Sequence, residues 1–254
     1  RRRNWRTVFP VLGIAALLLL AVNVPSRHFA LAEPTQGLHH YNVGVRYMRM
    51  GEWEKAVSRF NKVFSMAPRY TPAHYKMGQA LLQIGDVENA EKHLLTAAQM
   101  NPDATEVYYE LARLWNEAGD VERAIAYFRQ VVKKVPEDAD VRFLLANCLA
   151  AQGNHQEAVA QYSEAIANRP RFAEAMNGKG LVLASQGATD RAIESFSQAI
   201  QVRPKWAEAH KNLGAAYWFA GDEDAARQQL RTLRSLDTNF AKHLEQLVNG
   251  KRSG

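Results

Sequence analysis

Between residues 37 and 240 apolar and small side chains recur every three or four positions, and each short run of them stops at a glycine or a proline. That spacing predicts short amphipathic helices, each with one buried face, and not the alternation of strands. Val43, Gly44 and Tyr47 share one such face in a run that Gly51 closes. Glu52-Trp53-Glu54-Lys55-Ala56 opens a second run that ends before Pro68. The stops keep a single period: prolines stand at Pro68, Pro102, Pro136, Pro170 and Pro204, every interval being 34. Glycines (Gly51, Gly85, Gly119, Gly153, Gly187, Gly221) and alanines (Ala56, Ala90, Ala124, Ala158, Ala192, Ala226) repeat at the same interval. Asp86, Asp120, Asn154 and Asp222 follow their glycines and read as N-caps, and Glu157 completes a capping box on Asn154. Thr71 before Pro72 reads as an N-cap with proline at the first helical position.

The expected unit is therefore helix, turn, helix, turn, repeated six times over 37–70, 71–104, 105–138, 139–172, 173–206 and 207–240. Small residues at Gly44, Gly78, Ala112, Ala146, Gly180 and Gly214 let the two helices of a unit approach, with the alanines as the facing surface. Phe60, Phe128, Tyr162 and Phe196, with Leu94 and Leu230 in the same phase, fill the layer between neighbours. One unit cannot bury that layer alone, so units stack. The third carries Tyr108, Leu111-Ala112, Trp115, Ala124, Phe128 and Pro136; the last carries His210, Leu213-Gly214, Tyr217 and Ala226. This resembles the tetratricopeptide repeat family, whose unit has the same length and the order aromatic, Leu-Gly, Tyr, Ala, Phe, Pro. The resemblance implies an all-α, right-handed solenoid. Two positions depart from it: Lys179 replaces a large apolar residue in the fifth unit, and Thr238 replaces the final proline. Residues Thr238 to Val248 read as one more amphipathic helix that caps the last face, leaving 241–254 as its end and a tail.

Ahead of the repeats the pattern changes, since no residue from Val8 to Val24 is charged and Leu, Ala and Val dominate. Such a helix would reach about 26 Å, the lower limit for crossing hydrocarbon and beyond the usual apolar run of a signal peptide. Arg1, Arg2, Arg3 and Arg6 on the near side, against Arg27 on the far side, predict a cytoplasmic N-terminus. Residues 1–6 are then a basic cytoplasmic flank, 7–25 a transmembrane helix or uncleaved signal in contact with lipid, and 26–36 a linker. The expected protein is a single-pass one of the bacterial inner membrane, its repeats in the periplasm. Ala30-Leu31-Ala32 keeps a second fate open, cleavage after Ala32 and a secreted, soluble repeat module.

The formal charge of +6 belongs to the same stretch: five of the 32 Lys and Arg precede residue 33, and none of the 26 acids does. The remainder is nearly neutral and lacks the basic footprint of a nucleic-acid binder. At 47% apolar and 23% charged the composition is globular. Cys148, the single cysteine, excludes an internal disulfide framework and a Cys-rich zinc site.

The resemblance implies a scaffold that holds peptide segments or whole partners in a concave groove lined by the first helix of each unit. The fifth residues of the units are Tyr41, Tyr75, Tyr109, Phe143, Asn177 and Lys211. Four rings would give a partner large apolar contact at low entropic cost, although tyrosines here also pack on the adjacent helix. Gln79, Arg113 and Asn147 lie four residues further along their helices. Arg113 and Asn147 are suited to a carboxylate or a peptide backbone, the alternative for Arg113 being a local pair with Glu110 or Glu117. Glu106, Asp140, Glu174 and Glu208 predict an acidic rim.

Chaperone-binding relatives seize acidic tails with a clamp of lysines, arginine and asparagines; here those positions hold Tyr41, Val45, Gln79, Glu106 and Glu110. The asparagine ladder of sugar-transferring relatives is broken by Lys76, Glu110, Leu144 and Gly178 between Asn42 and Asn212. His40, His74 and His210 occupy the packing site of the family aromatic, and no phosphate loop, dinucleotide fingerprint, nucleophile elbow or metal-binding histidine pair occurs. No cofactor, metal or catalysis is expected. Cys148, among Leu144, Leu145 and Leu149, reads as a buried, inert thiol. The expected function is a membrane-anchored, non-catalytic adaptor, an assembly factor or accessory subunit of an envelope complex; a chaperone of the cytochrome-maturation type is the alternative.

Overall fold

The computed structural model describes residues 34–250, which form thirteen helices and, among the described residues, no strand. The chain divides into two compact units, one ending at Asp86 and one beginning at Val87, so the division falls between the two helices of the expected second repeat. The first unit contains α1 (Pro34–Arg49), α2 (Trp53–Met66) and α3 (Thr71–Gln83). The second contains α4 (Val87–Met100), α5 (Thr105–Glu117), α6 (Val121–Lys134), α7 (Ala139–Ala151) and α8 (His155–Asn168). It continues through α9 (Ala173–Ser185), α10 (Thr189–Val202), α11 (Ala207–Ala220), α12 (Glu223–Leu236) and α13 (Thr238–Asn249). Within each unit every helix packs on the next in sequence, and in the second the first helix α9 also touches α7 and α11. That unit is a helical solenoid.

The turn chemistry explains the glycine comb. Gly119 has φ +80°, and the five glycines equivalent to it are also left-handed, a backbone state that costs any residue with a Cβ. The residue after each glycine then donates its N–H to a carbonyl five residues back, as Asp120 does to Trp115 at 2.9 Å and Asn154 to Leu149 at 2.8 Å. The same residues start the next helix: Asp120, Asn154 and Asp222 accept from the backbone N–H of Arg123, Glu157 and Ala225. Asn154 and Glu157 also bond through their side chains at 2.9 Å. Thr71 differs from expectation. Tyr70 is the N-cap and Thr71 already helical, with Pro72 behind it in the first turn.

The alanine comb is fully buried at all six positions, and Phe60, Phe128 and Phe196 are buried to within 1%. Each such ring stabilises the stack by about 1.5–3 kcal/mol through removal from water. Close approach is literal at Gly180, where an added Cβ would come within 2.5 Å of the Phe196 ring. At Gly178 an added Cβ would come within 2.8 Å of the Tyr162 ring, so both glycines that flank Lys179 sit against a buried ring. The terminal helix α13 packs on α11 and α12 and buries Ala241, Leu244 and Val248, the capping role expected of it; Asp237 caps its first turn.

Two expectations about the N-terminal part are corrected. Helix α1 begins at Pro34, inside the stretch read as linker. The span over 7–25, the basic flank and the Ala32 cleavage site lie outside the described residues. Among the described residues the helices run from 12 to 16 residues, and none is long and apolar enough to cross a membrane, which takes about 20 consecutive apolar positions. The single-pass inner-membrane placement, and the periplasmic position of the repeats that depended on it, are therefore not supported.

Candidate functional site

In the first unit, Tyr41 is half-buried, its ring edge-on to Tyr70 at 5.3 Å and tilted on Phe60 at 6.0 Å. Burial, and secondarily Tyr70, hold its hydroxyl above the ordinary tyrosine range. Tyr75 and Gln79 are brought together: Gln79 Nε2 donates to the Tyr75 hydroxyl at 2.9 Å, and Lys76 Nζ donates to Gln79 Oε1 at 2.9 Å. An open depression beside them is lined by Tyr41, Val45, Met48, Arg49, Trp53 and Lys76.

In the second unit the residues of repeats 105–138 and 139–172 satisfy one another. Tyr109 leans on Phe128, and Phe143 is wedged between Tyr162 and Phe172, leaving both half-buried. Arg113 takes the local alternative, 2.9 Å from Glu117 and 3.6 Å from Glu110. Asn147 is exposed but accepts a 2.5 Å hydrogen bond from the Tyr162 hydroxyl. Burial pushes that phenol up to about 12. The acidic rim is only partly acidic, because Arg169 pairs with Asp140 and Arg203 with Glu174, both at 2.5 Å. The same arginines lie over Phe172 and Trp206. Hydrogen bonding from Arg169 holds the Asp140 carboxyl below its ordinary range.

The last two repeats differ. Asn177 is buried and accepts from Asn212 Nδ2 at 3.0 Å, and the Lys211 ammonium lies 4.8 Å from the Phe240 ring centre of α13. Neither reaches outward as a groove residue should. Between α9 and α11 lies a depression of about 360 Å³, at the small end of the range for pockets that bind organic groups. Leu181, Ala184, Phe196, Ala215, Ala216 and Phe219 line it, together with Gly187, Thr189 and Asn212. No charged side chain lines it. Leu181 is 45% and Phe219 72% exposed, high for large apolar groups. Following the ninth position of the repeat beyond Gln79, Arg113 and Asn147 would have found it, because the next residues are Leu181 and Ala215.

The titratable groups inside the stack are structural. His74 and His210 each donate Nε2–H to a proline carbonyl at the end of the preceding repeat, Pro68 and Pro204, at 2.9 Å. Arg142 reaches Pro136 in the same way. Cys148 is buried, its thiol donates to Asn116 Oδ1 at 3.2 Å, and burial pushes its pKa up, against nucleophilic use. Among the described residues no group of His, Cys, Asp and Glu is arranged to hold a metal.

This architecture defines a helical-repeat interaction module. The chain belongs to the tetratricopeptide repeat family, whose sequence profiles match residues 41–105, 75–133, 109–171 and 151–205, and a further profile 183–248. Solved structures of like fold include MamA, 24% identical over 68% of this chain and 94% of that one, with a TM-score of 0.63. YrrB, a TPR protein with an unusual peptide-binding site, is 20% identical over 74% and 97%, with a TM-score of 0.64. PilW, a widely conserved type IV pilus biogenesis factor, is 16% identical over 84% and 98%, with a TM-score of 0.61. At these identities the likeness is one of fold. No curated protein sequence matches the chain.

Proposed function

We propose that this chain is a non-catalytic adaptor that holds a segment of a partner protein on the first-helix face of its last two repeats, acting as an assembly factor or accessory subunit of a larger complex. The observation that carries the reading is the uncharged depression between α9 and α11, with Leu181 and Phe219 at its edge. Apolar groups presented together on an otherwise polar surface favour association, because covering them releases water. Tyr109 and Phe143 add half-buried edges on α5 and α7, whereas Arg113 and Asn147, engaged by Glu117 and Tyr162, stay outside the contact. Tyr41, Tyr75 and Gln79 give the first unit a contact surface of its own. Fold relatives that bind peptide (YrrB) or serve pilus biogenesis (PilW) make such a role natural for the scaffold.

The test compares complexes isolated from the native source with the wild-type chain, the Leu181→Asp/Phe219→Asp double variant and Arg113→Ala. A partner chain retained by wild type and Arg113→Ala but lost from the double variant supports the proposal. Equal retention by all three refutes it.

A further inference from the structure

Polar pairs between the two helices of a repeat keep one register, and the first repeat breaks it. In the sixth, His210 Nδ1 meets Gln229 Oε1 at 2.7 Å, and in the fourth Arg142 Nη1 donates to Gln161 Oε1 at 2.8 Å. The same two positions in the first repeat hold His40 and Arg59. A guanidinium has no acceptor to offer a ring N–H. His40 Nδ1 is buried without a hydrogen-bond partner, and Lys62 stands one turn beyond Arg59 on α2. Burial, then Lys62, Arg59 and the adjacent His39, hold the His40 pKa below the ordinary histidine range, and no carboxylate acts against them.

The cluster lacks counter-charge. Neither Arg59 nor Lys62 makes an ion pair or a side-chain hydrogen bond among the described residues. Of the acids over residues 34–86, Glu52 is bound to Lys55, Glu54 lies in the first turn of α2 and Asp86 follows α3. Helix α3, which also packs on α1, adds only His74, Tyr75 and Lys76 as titratable groups. The site is also open: His74 is stacked on Phe64 of the helix before it at 4.4 Å, whereas no described helix precedes α1 and His40 stays half-exposed.

We infer that His40, Arg59 and Lys62 form a binding site for a phosphate monoester, carried on a phosphorylated side chain of a partner polypeptide. The three terminal oxygens of such a group can accept from the Nδ1–H of His40, the fork of Arg59 and the ammonium of Lys62 at once. Its charge also relieves the repulsion among the cations. A carboxylate, planar and singly charged, would answer the fork and leave the imidazole and the ammonium. The cluster occupies one turn on each of two helices, which fits a single phosphoryl group and not a sheet of lipid headgroups. The site belongs to the first unit and is independent of the depression between α9 and α11.

Binding to the full chain is read by NMR from the His40 ring and the Arg59 Nε–H, with chloride exchanged for each probe at constant ionic strength. The probes are inorganic phosphate, a capped Gly-phosphoserine-Gly peptide, and the same peptide with Asp in place of phosphoserine. Phosphate and phosphopeptide should shift both signals saturably and move the His40 titration to higher pH, since an anion at hydrogen-bond distance favours the charged ring. The Asp peptide should bind about tenfold more weakly. Arg59→Gln, which gives the first repeat the pairing of the sixth, should keep the fold and weaken phosphopeptide binding about tenfold or more. Lys62→Gln, at an exposed position, should weaken it as well, and Arg69→Gln, outside the cluster, should leave it unchanged.

Equal binding of the Asp peptide and the phosphopeptide, or a phosphopeptide affinity indifferent to both Arg59→Gln and Lys62→Gln, would overturn the inference. So would a His40 titration that phosphate does not move. Vesicles of phosphatidylcholine with phosphatidic acid should compete poorly with the phosphopeptide. Vesicles that displace it fully would assign the cluster to lipid and overturn the assignment to a polypeptide.

Discussion

Residues 105–172 and residues 173–240 are built on one backbone plan yet turn different faces outward. Their buried positions match: Ala124 and Ala192 are fully covered, and Phe128, Tyr162 and Phe196 fill the layer behind them. On the first-helix face of the earlier pair, Arg113 is engaged by Glu110 and Glu117, and Asn147 by Tyr162. The later pair puts Leu181, Ala215 and Phe219 there, with an amide pair beneath. Positions locked to the period are committed to stacking. Positions free of the period are open to variation, and in this molecule they change character between the fourth and fifth repeats.

The comparison breaks first where the period is attacked. Ala192→Arg drives a charge into a helix contact with no partner, and should cost about 4 kcal/mol or more in chemical denaturation. An unchanged unfolding midpoint would contradict the packing scheme. Gly180→Val, which sets a Cβ against the Phe196 ring, should cost about 1–3 kcal/mol in the same assay. Phe219→Asp acts on the other class of position. Stability should stay within about 0.5 kcal/mol of wild type, while partner affinity falls about tenfold or more by titration. Comparable losses of both would return Phe219 to the core.

The fourth and fifth repeats also differ in a group that titrates. Tyr162 stands where the fifth repeat has Phe196, and burial raises its pKa to about 12. Between the free-tyrosine value near 10 and that raised value the folded chain keeps a proton that the unfolded chain has released. The stability Tyr162 contributes is therefore whole below pH about 10 and is lost as pH rises toward about 12. Tyr162→Phe, making the fourth repeat like the fifth, should flatten that decline in denaturation midpoints measured from about pH 9 to 11.

The fold was legible because stacking uses the same residue types at the same spacing in every repeat. The glycines mark left-handed turns, the alanines mark helix contacts, and Thr238 opens a capping helix in place of a final proline. The site was less legible. Counting fifth positions led to Asn177 and Lys211, but α13 draws Lys211 onto Phe240, and Asn177 turns inward to Asn212. Both outcomes depend on partners far along the chain, which a position within one repeat does not encode. The paired rim acids were missed for a related reason, since Arg169 and Arg203 reach back to the start of their own repeats.

On the proposed function, the last two repeats grip a partner through their first-helix face. Photo-crosslinking residues placed singly at 181, 219, 113 and, on the exposed side of α12, 231 test it most directly in the native source. A shared crosslinked partner is expected from 181 and 219, with little or none from 113 and 231. Crosslinks confined to 231, with 181 and 219 silent, would contradict it.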